Sequence, residues 1–300
     1  MNQQLSKRSG HALFAIVIVA WGLNWTVAKL TLQFMTPLWM TAIRAGLAAL
    51  VLLFVMLATK SLRIPKRGDV PVVCSIALLH MTAFAALMAL GLQLVPAGRS
   101  VVLGYTTPLW VTPAAVLLLG ERLTPARIAG VAVGMAGLAV MFNPLAFDWA
   151  DRPALIGNAM LLLSALCWAV SIIHTRAHRW ISTPFQLVFW EVLLATVVLT
   201  LLAIVFEGWP QITWNTQLVV LLGYGSVFGV ALAYWAMAMV NRSLPAVTTS
   251  LGVLATPVVG VVSSMVVLGE PFSLSLLVAL TLIIGGIMLG TAGGNKGPAA

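Results

Sequence analysis

The chain has 300 residues, of which 61% are hydrophobic, and only 16 Lys or Arg and seven Asp or Glu carry charge. Soluble domains contain roughly 25% charged residues, so this composition excludes a water-soluble fold and predicts a protein integral to a membrane. The net charge of +9 does not indicate nucleic acid as a partner, because the basic residues sit in short loops and form no contiguous patch.

Ten apolar runs are long enough to cross a bilayer as helices, each of which needs about 20 residues. In chain order, spans 1 to 10 lie at 11–33, 38–59, 70–92, 96–119, 125–143, 153–174, 184–206, 215–240, 245–268 and 273–291. The strands of a membrane barrel would instead be alternating segments of about ten residues. The sequence therefore predicts an all-α, polytopic membrane protein with ten transmembrane helices.

The distribution of charge predicts the topology, because short cytoplasmic loops collect Lys and Arg. With the N-terminus inside, 12 of the 16 basic residues fall on the inner side, among them those of the loop 60–67, whereas Glu207 and Glu270 fall outside. We therefore expect both termini to be cytoplasmic. We also expect a multi-pass protein of a bacterial-type inner (plasma) membrane.

The second half of the chain repeats the first half. Eight residues recur in identical type at a spacing of 149, namely Pro96, Ala97, Thr107, Pro108, Leu119, Gly120, Glu121 and Gly137. Nearer the start the spacing is 147, which pairs Trp21 with Trp168. The predicted organisation is a first five-helix repeat at 1–147, a second at 148–291 and a short cytoplasmic tail at 292–300.

The number of spans in each repeat predicts that the two repeats are inverted. Five is an odd number, so the second copy enters the membrane from the opposite side. Secondary transporters built from inverted repeats bind substrate near the bilayer midplane, between the two copies. Transport is thus the leading hypothesis, and a duplication that merely builds a stable bundle is the alternative.

Six segments resemble the EamA-type members of the drug/metabolite transporter superfamily. They are AWGLNWTVAK at 20–29, AIRAGLAALVLL at 42–53, YTTPLW at 105–110, LLGERLTPARIAGVAVGMAGLAV at 118–140, ATPVVG at 255–260 and VLGEPFS at 267–273. The resemblance implies a ten-helix exporter of amino acids or related small metabolites, with a central cavity lined mainly by spans 1, 3, 4, 6, 8 and 9. The aromatic residues make the chain most similar to the YddG-like (aromatic) amino-acid exporters.

Spans 1 and 6 each place a Trp three residues before a polar side chain. Trp21 precedes Asn24, and Trp168 precedes Ser171 at the equivalent positions, so each pair shares one helix face. A ring beside a polar group suits a substrate pocket that stacks an apolar side chain and bonds a polar end. Interhelical packing with a satisfied amide is the alternative.

Spans 4 and 9 each contain a Thr-Pro pair, Thr107-Pro108 and Thr256-Pro257. Proline frees a carbonyl about one turn earlier and weakens the helix locally. Both prolines are predicted to be hinges, and the two threonines, together with Tyr105, are predicted to bind substrate. A static kink whose carbonyls are satisfied by threonine hydroxyls is the alternative.

Spans 3 and 8 supply the remaining candidates for substrate binding. His80 lies 11 residues into span 3, where an ionisable side chain usually faces a cavity. A neutral histidine packed in the core is the alternative. Tyr234 and Trp235 follow the small-residue run at 223–229, whose glycines are predicted to permit close helix packing.

Two ionisable residues, Arg44 and Glu191, occupy equivalent positions in spans 2 and 7. Because the repeats are inverted, the depths of their Cα atoms differ by roughly 10 Å in a core of about 30 Å. We therefore predict separate roles for the two residues rather than an ion pair. A role in gating or coupling is the alternative.

Other classes of function find little support in the sequence. The histidines, at positions 11, 80, 174 and 178, form no hydrolase or metal-binding motif, so no enzyme, metal or cofactor is predicted. A proton-coupled drug/metabolite antiporter is the nearer alternative and an intramembrane enzyme the more distant one. The expected partners are a small-molecule substrate and the lipid bilayer. Glycine pairs four residues apart in spans 5 and 10 predict packing within a monomer or weak homodimer.

Overall fold

The computed structural model describes residues 7–120, 124–142, 150–243 and 253–292. Every regular element in these ranges is helical. In chain order the helices are Lys7–Thr31, Pro37–Ala58, a 3-10 turn Arg67–Asp69, Val70–Ser75, a π-helical segment Ile76–Phe84, Ala85–Leu94, Ala97–Gly104, Thr107–Leu119, Pro125–Phe142, Arg152–Ala177, Pro184–Glu207, Thr216–Ser226, a π-helical segment Val227–Ala231, Leu232–Ser243, Ala255–Leu268 and Leu274–Ala292. The predicted all-α fold is confirmed.

Seven helical stretches of the described residues are long and apolar enough to cross the bilayer. They correspond to spans 1 to 4 and 6 to 8, whereas the apolar helices of spans 5, 9 and 10 are shorter. Large apolar side chains on the outside of the bundle, such as Phe54 and Leu117, are exposed, as lipid contact allows. The chain is a multi-pass membrane protein, while the count of ten crossings and the side of each terminus stay predictions.

Some sequence predictions fall outside the described residues. Among them are the boundary between the predicted repeats at residue 148, Glu121, Pro245, Ala246 and the tail from residue 293.

The helix contacts follow the correspondence between the two halves of the chain. Span 1 packs on spans 8 and 9, and its equivalent, span 6, packs on spans 3 and 4. Span 2 packs on its own equivalent, span 7, and span 5 packs on span 10. This pattern is the one expected of two five-helix repeats related by a pseudo-two-fold axis.

The tightest helix contact joins spans 5 and 10 through their glycines. A Cβ atom built on Gly130 would lie 2.5 Å from the carbonyl oxygen of Gly286. A Cβ atom on Gly286 would in turn lie 2.5 Å from the carbonyl oxygen of Gly130. The two backbones are therefore in direct contact, which confirms that these glycine motifs pack against each other within one chain.

Carboxylates from each half of the chain bind backbone N–H groups in the other half. Glu207, at the end of span 7, accepts hydrogen bonds from the backbone at the start of span 2, including Leu38 N at 2.8 Å. Asp69, after span 2, accepts a bond from Ser182 N at 2.9 Å, just before span 7. A carboxylate satisfies the free N–H groups of a helix start and complements its dipole. Glu207 therefore joins the end of span 7 to the start of span 2, and Asp69 joins the start of span 3 to the loop before span 7.

The Gly-Glu motif that follows spans 4 and 9 has two separate structural roles. Gly120 and Gly269 end their helices with φ of +66° and +67°, so both glycines form left-handed C-terminal caps. Glu270 accepts hydrogen bonds from Ala97 N at 2.6 Å and Gly98 N at 2.8 Å. It therefore caps the start of span 4, a role that the sequence analysis missed.

Span 4 is broken one turn before its proline. One helix ends at Gly104 and the next begins at Thr107, with Pro108 in its first turn. The Thr106 hydroxyl donates to Leu103 O at 2.7 Å, and the Thr107 hydroxyl donates to Gly104 O at 3.0 Å. Threonine hydroxyls thus satisfy the carbonyls at the break, which favours the static kink; whether the prolines act as hinges stays a prediction.

Candidate functional site

Two cavities inside the bundle share three lining side chains, His80, Trp168 and Tyr234. We call these three residues the aromatic partition, because they lie between the cavities. The His80 and Trp168 rings are stacked, with centroids 4.9 Å apart and planes 8° from parallel. The Tyr234 ring meets His80 edge-on at 6.1 Å. Rings in this geometry attract one another and form a thin layer of aromatic contacts between the cavities.

The outer cavity has a volume of about 160 Å³ and lies on the side predicted to be extracytoplasmic. Its lining includes Thr41, in the first turns of span 2, and Leu199, in the second half of span 7. Trp21, Asn24 and Tyr105 also line it. It therefore offers aromatic surface together with a few polar groups, as sites for small molecules do.

Arg44 is the charged residue of the outer cavity. Its side chain is only 6% exposed, and its Nη2 donates to Asn24 Oδ1 at 2.8 Å and to Gly225 O at 3.5 Å. Its Nε has no hydrogen-bond partner among the described residues. Gly225 and Gly229 of span 8 leave the space for this pair, because a Cβ on Gly225 would lie 2.7 Å from Arg44 Nε.

The inner cavity has a volume of about 310 Å³ and lies beneath the aromatic partition. Thr175 and Trp180, near the predicted cytoplasmic end of span 6, line it. Glu191 lines it too and is 5% exposed. Arg44 and Glu191 therefore face different cavities, which confirms that they do not form an ion pair.

The structure brings eight of the ten predicted substrate-binding residues to the cavities. Trp21, Asn24 and Tyr105 line the outer cavity, His80, Trp168 and Tyr234 form the partition, and Ser171 and Trp235 line the inner cavity. Thr107 and Thr256 are fully buried and line neither cavity. The Thr107 hydroxyl bonds backbone carbonyls, and the buried Thr256 hydroxyl has no hydrogen-bond partner among the described residues.

Three residues at the cavities were not predicted to be there. Arg44 lines the outer cavity, Glu191 lines the inner cavity, and Phe84 contacts the aromatic partition. The signal for the first two was present, since an ionisable residue within a span usually faces a cavity. Phe84 follows His80 by four residues, one helical turn, and its ring lies 5.7 Å from the imidazole. The predicted role of the span 8 glycines in close packing holds for Gly225 and Gly229, which contact Arg44 and Asn24, and is wrong for Gly223, which has no atom within 4 Å of its Cβ position.

Two π-helical segments lie at the cavities. Ile76–Phe84 contains His80, and Val227–Ala231 contains Gly229 and precedes Tyr234 by a few residues. A π-helical turn inserts an extra residue into the helical repeat and shifts the side chains that follow, and such turns occur often at functional sites. The two segments therefore help to turn His80 and Tyr234 towards the same layer.

Comparison with known proteins gives consistent results. The sequence profile of the EamA-like transporter family matches residues 8–143 and 155–291. The uncharacterized transporter YvbV of Bacillus subtilis is 28% identical over 96% of this chain and 93% of its own. A probable amino-acid metabolite efflux pump of Salmonella typhimurium is 26% identical and covers 96% of both chains.

Two further comparisons concern an exporter and a solved structure. The aromatic amino acid exporter YddG of Ancylobacter novellus is 30% identical over 71% of both chains. A crystal structure that is 23% identical superposes with a TM-score of 0.68 and covers 97% of this chain and 100% of its own, which shows a shared fold.

Proposed function

The chain belongs to the EamA-like transporter family, and from this premise we propose that it is a secondary exporter of amino acids. The apolar and aromatic amino acids, or related small metabolites, are the proposed substrates. Similarity to an aromatic amino acid exporter and to a probable amino-acid metabolite efflux pump supports this choice. We further propose two inverted five-helix repeats, supported by the two separate matches to the family and by the helix contacts.

The observation that carries the proposal is the aromatic partition between two cavities. Each cavity approaches the partition from one predicted side of the membrane, so the structure has the form of a carrier that is closed at its centre. The aromatic side chain of a substrate can take the place of one of the partition rings as a packing partner. Passage of the substrate between the two cavities then requires a change in the packing of His80, Trp168 and Tyr234. In alternating access, this change closes one cavity to the substrate as it opens the other.

Proton-coupled antiport is the second candidate function, and the position of Glu191 favours it. This carboxylate lines the inner cavity at the partition, where an acid within a span can carry a proton. An intramembrane enzyme has no comparable support, because the relatives named above are transporters or efflux pumps. We propose uncoupled export, in which neither Glu191 nor His80 has to exchange a proton with each turnover.

A counterflow assay in proteoliposomes tests the proposed function. Vesicles are preloaded with unlabelled phenylalanine or tryptophan, and uptake of the labelled amino acid is measured. It is compared with the uptake of labelled putrescine and of labelled uridine into vesicles preloaded with the same unlabelled compound. We expect saturable counterflow of the aromatic amino acids several-fold above that of protein-free vesicles, with no effect of an imposed pH gradient on final accumulation. Movement of putrescine alone would contradict the amino-acid proposal, and accumulation driven by the pH gradient would establish proton coupling instead.

A further inference from the structure

We propose that Arg44 is the carboxylate-binding residue of the outer cavity, so that a transported molecule must carry a carboxylate beside its apolar group. The proposal rests on the proposed function, because it names the chemical class that the same cavity accepts. It assigns a binding role to a residue that the sequence analysis left open between a structural and a gating role.

The first argument is that the charge of Arg44 has no partner within the described part of the protein. A buried guanidinium is costly unless an anion pairs with it. Arg44 is 6% exposed, yet it donates hydrogen bonds to an amide oxygen and a backbone carbonyl, both neutral. A substrate carboxylate in the outer cavity would supply the missing negative charge.

The acidic residues that the structure describes have roles other than pairing with Arg44. Glu207 and Glu270 cap helix N-termini elsewhere, and Asp69 pairs with His178 and accepts from Ser182 N in the loop before span 7. Asp151 caps the start of span 6 by accepting from Ala154 N at 3.1 Å. Glu191 lies in the inner cavity, beyond the aromatic partition. Within the described residues, therefore, no acid is placed to neutralise Arg44.

The third argument is the geometry of the guanidinium. Asn24 and Gly225 hold Nη2, while Nε is buried without a partner among the described residues. The Nε edge of the planar guanidinium lies against Gly225, so a carboxylate in the cavity would approach the remaining nitrogen, Nη1, as a charge-assisted hydrogen-bond donor. Because one nitrogen is fixed by Asn24, the orientation of the guanidinium is set before the substrate arrives. The cost of ordering this side chain is then already met in the empty protein.

The neighbours of Arg44 complete a site for an aromatic amino acid. Trp21, Tyr105 and the aromatic partition line the same cavity and provide ring faces for an apolar side chain. The substrate ammonium group requires no carboxylate, because the face of an aromatic ring attracts a cation. The arrangement thus selects for a carboxylate and an apolar group, and it selects less strongly for the ammonium.

Four related compounds test this assignment as competitors of labelled phenylalanine in counterflow. They are phenylalanine, phenylalaninamide, 3-phenylpropionate and phenethylamine. For the wild type we expect the two compounds with a carboxylate to compete about 10- to 100-fold better than the two without, the range for a hydrogen bond to a charged group. Arg44→Gln should remove this difference. Arg152→Gln is the matched control, because Arg152 is exposed and lines neither cavity.

Asn24→Asp tests the same claim without removing Arg44. The aspartate would place its own carboxylate at the position of Asn24 Oδ1, 2.8 Å from Arg44 Nη2. This internal ion pair should exclude the substrate carboxylate, so 3-phenylpropionate should lose its advantage over phenethylamine although the variant is nearly isosteric. The assignment is overturned if either variant, folded, keeps the wild-type preference for a carboxylate.

The outcomes separate this inference from the proposed function. If wild-type vesicles carry no amino acid, the proposed function fails, and quenching of tryptophan fluorescence by 3-phenylpropionate and phenethylamine still tests the anion site. If wild-type vesicles carry phenylalanine but phenethylamine competes as well as 3-phenylpropionate, the transport proposal stands and the role of Arg44 is refuted.

Discussion

Replacing Trp168 by alanine is expected to weaken binding of aromatic amino acids by about 30-fold or more and to reduce their counterflow in the same proportion. A buried aromatic anchor contributes at least about 2 kcal/mol to binding, which corresponds to this factor. Trp168 stacks on His80 and also contacts Phe84 and Tyr105, at centroid distances of 5.2 and 6.1 Å. Its loss would also join the two cavities, so the vesicles should leak small solutes.

Trp214→Ala is the control for Trp168→Ala, because Trp214 is 62% exposed and lines neither cavity. Both variants are assayed for counterflow and for release of a trapped small dye. The control should match the wild type in both assays. Wild-type counterflow in a folded Trp168→Ala variant would show that the aromatic partition neither binds the substrate nor separates the cavities. Trp168→Phe, which keeps a ring, should retain an intermediate flux.

Gly286→Leu is expected to cause the largest loss of stability. The new Cβ would lie 2.5 Å from Gly130 O and 2.6 Å from Gly134 N, and these are backbone atoms that cannot move without separating spans 5 and 10. Overpacking of this kind costs about 1–3 kcal/mol or more. We expect the midpoint of thermal unfolding in detergent to fall by about 5 °C or more.

The adjacent residue provides the control for this substitution. Gly285 has no atom within 4 Å of the position that its Cβ would occupy. Gly285→Leu makes the same chemical change on the same helix, one position earlier, and should leave the unfolding midpoint nearly unchanged. Equal midpoints for the two leucine variants would contradict direct backbone contact between spans 5 and 10.

The sequence predicted the helices well because their signal is local. Continuous apolar runs with few charges locate membrane helices, since the bilayer penalises charge along the whole run. Equivalent positions in the two halves predicted that Trp21 and Trp168 belong to one site, and both line the outer cavity. The break in span 4 at Thr106 also follows from a local cause, the proline two residues later.

The contacts between distant parts of the chain were not predictable in the same way. Arg44 bonds Asn24 in one helix and Gly225 in another, and no local pattern states which helix face meets which neighbour. Thr107 was predicted to face the substrate, but its hydroxyl donates to Gly104 O, three residues earlier and across the break in span 4. Glu270 caps a helix 172 residues away in the sequence, a contact that depends on the tertiary fold.

The central claim is that a substrate at the aromatic partition is accessible from only one of the two cavities at a time. Two single-cysteine variants test it. Ala45→Cys places a thiol in the outer cavity, and Thr175→Cys places one in the inner cavity. The native Cys74 and Cys167 are first replaced by serine. Modification by a membrane-impermeant thiol reagent, applied to one side of the membrane at a time, is measured with and without phenylalanine.

The account predicts that each cysteine reacts from one side only and that phenylalanine changes the two reaction rates in opposite directions. Such reciprocal change would show that closing one cavity opens the other. Simultaneous reaction of both cysteines from the same side would reveal a continuous pore. Rates that do not respond to phenylalanine in a protein that transports it would likewise contradict alternating access through the partition.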